Sequence, residues 1–308
     1  MKGLELSRYY FEALGKERIK KRFPELYPRL AFGLAGEGSE CFGFDDAYSM
    51  DHDWGPGFCI WMTEADYQAE GQPLQALYES LPPSIGGYPP RQDSGHGSHR
   101  VGVQSIPRWF TRYTGMPAGP TTLREWLSVP DSFLATATNG AVFKDHLGTF
   151  SEIRHHLMAD YPEDVRLRRL ADGIAGMAQS GQYNYPRCLA RGEIVAAQMA
   201  FSAFIQSGLS VVYLLNRRYA PFYKWRHRGL EACPVLPRAQ QLFTRLVKAG
   251  DDARRECIEG ICLTVVGELR RQGLTDGDDS FLDNHRLDIL RRIQDDTLRQ
   301  RSVMEVTG

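Results

Sequence analysis

The part of this chain that most limits how it can fold is residues 30–54. An apolar run over 30–34 leads into Gly36-Glu37-Gly38-Ser39-Glu40, and then into Ser49-Met50-Asp51-His52-Asp53-Trp54. A second apolar run ends at Met62. The first run reads as a strand, and glycine after it lets the backbone turn tightly and approach a ligand. Ser39 is expected to open a helix or turn whose unpaired N–H groups face an anion. If the second run is a strand that starts at Asp51, side chains two apart share a face, so Asp51 and Asp53 project together while His52 points away. Paired carboxylates repel unless a cation lies between them, and hard oxygen donors suit Mg²⁺ better than a soft metal. The arrangement predicts a place where divalent metal and a triphosphate are held together; the plain alternative is an acidic surface turn.

An apolar residue, Gly-Ser, a gap and Asp-x-Asp resembles the signature of the polymerase-β-like nucleotidyltransferase superfamily. The longer stretch GLAGEGSECFGFDDAYSMDHDWGPGF is similar to one branch, the bacterial domain-of-unknown-function family 4037, as are AQSGQYNYPRC and LLNRRYAPFYKW further on. The resemblance implies an α+β chain, with a mixed-sheet nucleotidyltransferase domain followed by a helical bundle. That architecture is similar to the kanamycin- and lincosamide-type nucleotidyltransferases, in which the cleft lies between two domains and a second chain often completes it. It also implies a third carboxylate on a later strand. The candidate strand here, His99-Arg100-Val101-Gly102-Val103-Gln104-Ser105, holds none, which leaves Asp145 or Glu125 to fill the role, or a site that runs on two carboxylates. Asp145 precedes a glycine turn and reads more readily as a turn cap.

The rest of the chain divides by pattern. Apolar side chains at Leu6, Tyr10, Leu14 and Ile19 predict an amphipathic helix ended before Pro24. Thr63 reads as an N-cap, with Asp66 three residues on, for a helix through Leu81. Residues 82–98 are rich in Pro, Gly, His and Ser and read as a loop; 101–105 and 141–145 read as strands. From Pro162 onward helices are expected over 162–180, 192–216, 237–249, 252–272 and 280–301. A boundary is placed near residue 150, giving domains 1–150 and 151–308. The segment 192–216 is apolar nearly all round, but Gln198, Ser202, Gln206 and Ser210 interrupt it too often for a membrane span, so it belongs at the centre of the bundle.

Composition narrows the function classes. The 308 residues carry a formal net charge of −1, which argues against a wide sequence-independent nucleic-acid surface and leaves room for a local basic patch. Six cysteines without paired spacing read as reduced core thiols. No signal-peptide pattern is evident, and a cytoplasmic protein with no membrane partner is expected.

These readings combine into an expected Mg²⁺-dependent nucleotidyltransferase. Asp51 and Asp53 are its metal ligands and catalytic pair, and Gly38 and Ser39 cradle the triphosphate. ATP is the default nucleoside triphosphate. The acceptor hydroxyl belongs to a small molecule, a protein or an RNA end. Glu40, Asp45 and Asp46 are weaker candidates, either solvated or supporting the metal ligands. Lys224, with Arg217 or Arg218, is expected to reach the phosphates, although cations after a helix also suit its dipole. Tyr183, Asn184, Tyr185 and Arg187 either line an acceptor pocket or only anchor the interhelical loop, and the anchor is the favoured reading. A homodimer through the bundle is expected. The rival reading is a non-catalytic nucleotide-binding regulatory module, such as one half of a toxin–antitoxin pair.

Overall fold

The computed structural model describes residues 1–51, 53–92, 100–159 and 161–300, the side chain of residue 252 excepted. It is an α+β chain in two compact units, Met1–Thr121 with Phe133–Ala159, and Thr122–Ser132 with the chain from residue 160 onward. The boundary expected at 150 falls inside a helix, Thr149–Met158. The excursion of 122–132 into the second unit has a local cause. Arg169 donates to the carbonyls of Trp126, Leu127 and Val129 and pairs with Asp131 at 2.5 Å, tying that segment to the bundle.

The first unit opens with α1 (Gly3–Tyr10), a π turn over Phe11–Gly15 and α2 (Lys16–Arg22), so the expected amphipathic helix forms with a wide turn in its middle. It continues through β1 (Ala31–Leu34), β2 (Cys59–Met62), α3 (Glu64–Glu79), β3 (Gly102–Ser105) and α4 (Ile106–Thr114). After α5 (Leu123–Ser128), which belongs to the second unit, come α6 (Asp131–Thr138), β4 (Ala141–Asp145) and α7 (Thr149–Met158). The sheet order is β3-β2-β1-β4, with β1 antiparallel to β2 and β4, and β3 parallel to β2. A parallel neighbour needs a crossover, and α3 supplies it. Thr63 caps α3 by accepting from Asp66 N at 3.1 Å, as its sequence predicts.

Both faces of the sheet are covered, which is why its central strands are apolar throughout rather than alternating. Phe32, Ile60 and Met62 face a core with Phe11, Ile19 and Leu74, where Phe11 stacks on Phe32 at 4.7 Å. On the other face Trp61 stacks on Phe150 at 3.9 Å and meets Trp109 edge-on. The expected loop over 82–98 lies outside the described residues from 93 onward, as do His52 and His99.

The second unit is helical among its described residues: α5, then α8 (Glu163–Met177) with a π segment over Ala178–Asn184, α9 (Tyr185–Ala190), α10 (Ile194–Leu215), α11 (Tyr223–Arg226), α12 (Ala239–Lys248), α13 (Asp251–Arg271), α14 (Arg286–Leu290) and α15 (Asp296–Gln300). The single helix expected over 280–301 is instead broken into short pieces. The Asp164 carboxylate takes the N–H groups of Gln294 and Asp295, and Asp295 caps the next turn through Leu298 N.

α10 is long and apolar enough to cross a membrane by length and composition, with a mean hydropathy of 1.5 over its best window. Its C-terminal half, from Gly208 to Leu215, is buried apart from half-buried Ser210, as expected for a central bundle helix. Its first turns depart from that expectation: Val195 and Met199 are 75% and 69% exposed.

Candidate functional site

The loop after β1 is fixed from both sides. Asn139 grips Gly36 by two bonds, accepting from Gly36 N at 3.0 Å and donating to Gly36 O at 2.7 Å. At Gly38 the Glu40 carboxylate packs directly over the backbone, so a Cβ there would have to displace it. Ser39 then opens one turn of 3₁₀ helix, Ser39–Phe42, as its sequence predicts. Asp45 is buried and structural: it accepts from Gly3 N at 2.8 Å and Trp54 Nε1 at 3.2 Å, tying α1 to the loop. Asp46 caps the following 3₁₀ turn, Ala47–Met50, through Tyr48 N and Ser49 N.

Asp51 and Asp53 do not stand on a strand, so the alternation that was to align them does not apply. β2 begins only at Cys59, because Gly55, with φ of 138°, and Pro56, which has no N–H, cannot continue its ladder backwards. Asp51 ends the 3₁₀ turn and is exposed. Asp53 is 3% exposed and adopts φ of 53°, a left-handed conformation rare outside glycine, Asn and Asp. Its N–H donates to Gln92 O at 2.7 Å. Strain of this kind persists where surrounding bonds over-determine it, and it clusters at functional sites.

Two arginines hold that over-determined geometry. Arg91 donates to Asp53 O at 2.5 Å and approaches Glu40 Oε1 at 3.5 Å. Arg100 lies 3.5 Å from Asp53 Oδ2 and 3.8 Å from Glu37 Oε2. Each therefore bridges the Gly-Ser half of the motif to the Asp-x-Asp half. Together with Arg112 and Tyr113 they line a narrow cavity against residues 34–38, Glu40 and Cys41, whose interior of about 10 Å³ has room for one water molecule. Burial raises the Glu40 carboxyl above its usual pKa, and attraction to Arg91 offsets part of that rise. Burial likewise raises the Tyr113 phenol, reinforced by Glu37, whose Oε1 accepts from Tyr113 at 3.1 Å. Sequence reasoning missed Arg91, Arg100 and Glu37. The two arginines lie in a segment with no local motif, and only the fold brings them to the loop.

The fit to a divalent metal is partial. The buried Asp53 carboxylate already draws a cation to 3.5 Å, as a metal position should, and the donors are hard oxygens. Among the described residues, however, no three His, Cys, Asp or Glu side chains converge as a metal cluster. Neither candidate for a third carboxylate supplies one. Asp145 accepts from Gly148 N and Ser151 N as a turn cap, and Glu125 forms the capping box of α5 with Thr122 in the second unit.

The expected phosphate-binding cations lie in the second unit. Arg217 takes the left-handed position after α10, with φ of 52°, and pairs with Glu163 at 2.9 Å. Arg218 N returns to Tyr213 O, which closes the helix end before Pro221 is reached. Lys224 is exposed on α11, its ammonium 5.4 Å from the Trp225 ring centre. Tyr185 is buried and bonds Asp251 at 3.2 Å, and Arg187 lies over the Tyr183 ring, which makes this turn the anchor expected of it.

The fold and this loop define a mixed α+β chain with a small sheet and a helical unit. Its residues 126–226 match a family described as Domain of unknown function (DUF4037). No curated protein and no solved structure matches the chain.

Proposed function

We propose that the protein is a Mg²⁺-dependent nucleotidyltransferase of the polymerase-β-like kind, moving a nucleoside monophosphate from a triphosphate, ATP by default, to an acceptor hydroxyl. The observation that carries this reading is the double bridge by Arg91 and Arg100. It ties Glu37 and Glu40, which flank the Gly38-Ser39 turn, to the strained, buried Asp53 next to a small cavity lined by Arg91, Arg100 and Arg112. In this reading Asp51 and Asp53 hold the metal, and the N–H groups of the turn face the triphosphate. The guanidiniums of Arg91 and Arg100 exchange carboxylate for phosphate partners, a geometry to which their planar forks are suited. A bound Mg²⁺ would supply neutralisation of the phosphate charge, which together with positioning accounts for most of phosphoryl-transfer catalysis. The parts expected of Lys224 and Arg217 rest on the family resemblance alone.

Calorimetry with ATP and Mg²⁺ tests the reading. Asp53→Asn and Asp51→Asn should each lose Mg²⁺-dependent triphosphate binding while keeping the wild-type circular dichroism spectrum. Unchanged affinity in both variants would remove the metal site. A second reading is favoured by β3, which holds no acid although the resemblance implies one on a later strand: a nucleotide-binding regulatory module without turnover. Transfer of label from ATP labelled at the α-phosphate to a lysate component separates the two, since a module leaves all label on nucleotide.

A further inference from the structure

Residues 217–248 carry eight Lys and Arg against one acidic residue, Glu231, in a chain of net charge −1. Six of those cations are exposed: Arg217, Arg218, Lys224, Arg238, Arg245 and Lys248. The first two follow the end of α10, where cations suit the helix dipole, and Arg217 has Glu163 as partner. That account does not extend to α12. There Gln241, Thr244, Arg245 and Lys248 recur at helical spacing on one face and line an open groove of about 520 Å³. The residue after α11, His227, shares hydrogen bonds with Gln240 O at 3.0 Å and Thr244 Oγ1 at 3.2 Å, which pins α11 beside this groove.

At the other end of α11 two rings stand in solvent. Phe222 and Tyr223 are 49% and 75% exposed, with their centres 4.7 Å apart. Adjacent exposed rings beside a row of cations match a ligand that alternates anions with flat apolar faces. We infer that α11 and the basic face of α12 form a binding surface for single-stranded nucleic acid, with phosphates on Arg245 and Lys248 and bases stacked on Phe222 and Tyr223. A duplex hides its base faces, so the ring pair favours a single strand. An anionic membrane would take the cations too, but would want the rings continuous with other apolar surface. The exposed apolar turns of α10 at Val195 and Met199 are not near them. Arg226 of α11 bonds Ser210, and residues 195 and 210 lie about 20 Å apart along the helix at 1.5 Å per residue.

The surface lies wholly in the second unit and uses neither Asp51 nor Asp53, so it stands or falls apart from the nucleotidyltransferase reading. Fluorescence anisotropy of a labelled single-stranded RNA oligomer with the full chain tests it over a range of salt. Replacing Arg245 and Lys248 together by Ala should weaken binding about tenfold at low salt. The same change should make the slope of log affinity against log salt shallower by about 1.4, the loss of two phosphate contacts. Tyr223→Ala should weaken binding about tenfold with the slope unchanged, because stacking releases no counterions. Asp53→Asn should bind the oligomer as wild type does, and thermal melts of each variant confirm that it is folded. The inference is overturned if the wild type does not bind the oligomer. It fails equally if the folded variants bind like wild type, if a duplex competes as well as the single strand, or if anionic vesicles are bound and the oligomer is not.

Discussion

Glu40 shows at the scale of one side chain what the site costs the fold. Its carboxylate is buried against Arg91, and burial raises its pKa by more than the arginine's attraction lowers it. A carboxyl whose folded pKa lies above the unfolded value contributes stability that is present below the unfolded pKa, and loses it as pH rises through the folded one. At neutral pH the ionised Glu40 is therefore a net burden on stability. Glu40→Gln should melt at a higher temperature than wild type at pH 7, and the gap should close as pH falls through the raised folded value and be gone by 4.5, the ordinary carboxyl value. A lower melting temperature at pH 7 would mean that the Arg91 pair outweighs desolvation. A group kept at such a cost is characteristic of a binding site. Part of this was legible in the sequence, since Gly38 and Ser39 announce their turn locally. Arg91 and Arg100 could not be read, because their role comes from meeting Glu40, Glu37 and Asp53 in the folded chain.

The behaviour of whole elements explains where pattern reading held and where it failed. Thr63 and Asp66 state the start of α3 within four residues, and the short strand expected over 141–145 forms. The period-two argument for Asp51 and Asp53 failed because it applies only inside a strand, and Gly55 and Pro56 delay β2 to Cys59. The helix expected over 280–301 failed for a tertiary reason, since the carboxylate that draws its backbone away is on Asp164, far back in the chain. The element after α10 carries a functional expectation of its own. If Lys224 on α11 serves the triphosphate, Lys224→Ala should weaken ATP binding more than AMP binding, because the lost contact is to the β- or γ-phosphate. Equal losses for both nucleotides, or none, would leave Lys224 to the basic surface of the second unit.

For the whole molecule, the question is whether the bundle needs a second copy of itself. The sequence reading makes α10 and α13 apolar over a wider arc than one neighbour covers. The second unit covers most of that arc from within: Ile258, Ile261, Cys262, Val265, Val266 and Leu269 of α13 are all buried, as is the end of α10. What is left is the first two turns of α10, with Ile194 at 58%, Val195 at 75% and Met199 at 69% exposed, and Leu263 of α13 at 52%. A stable interface buries about 800 Å² on each partner, and these four side chains supply only a fraction of that. The dimer expected on this face is therefore weak and concentration-dependent rather than permanent. Light scattering across a dilution series should read 34.9 kDa at low concentration and a rising mass at high concentration. Val195→Glu should hold the mass at the single-chain value throughout, by placing an unpaired charge where the two copies of α10 would meet. A wild-type mass that never rises would refute the dimer and leave the exposed turns of α10 to solvent.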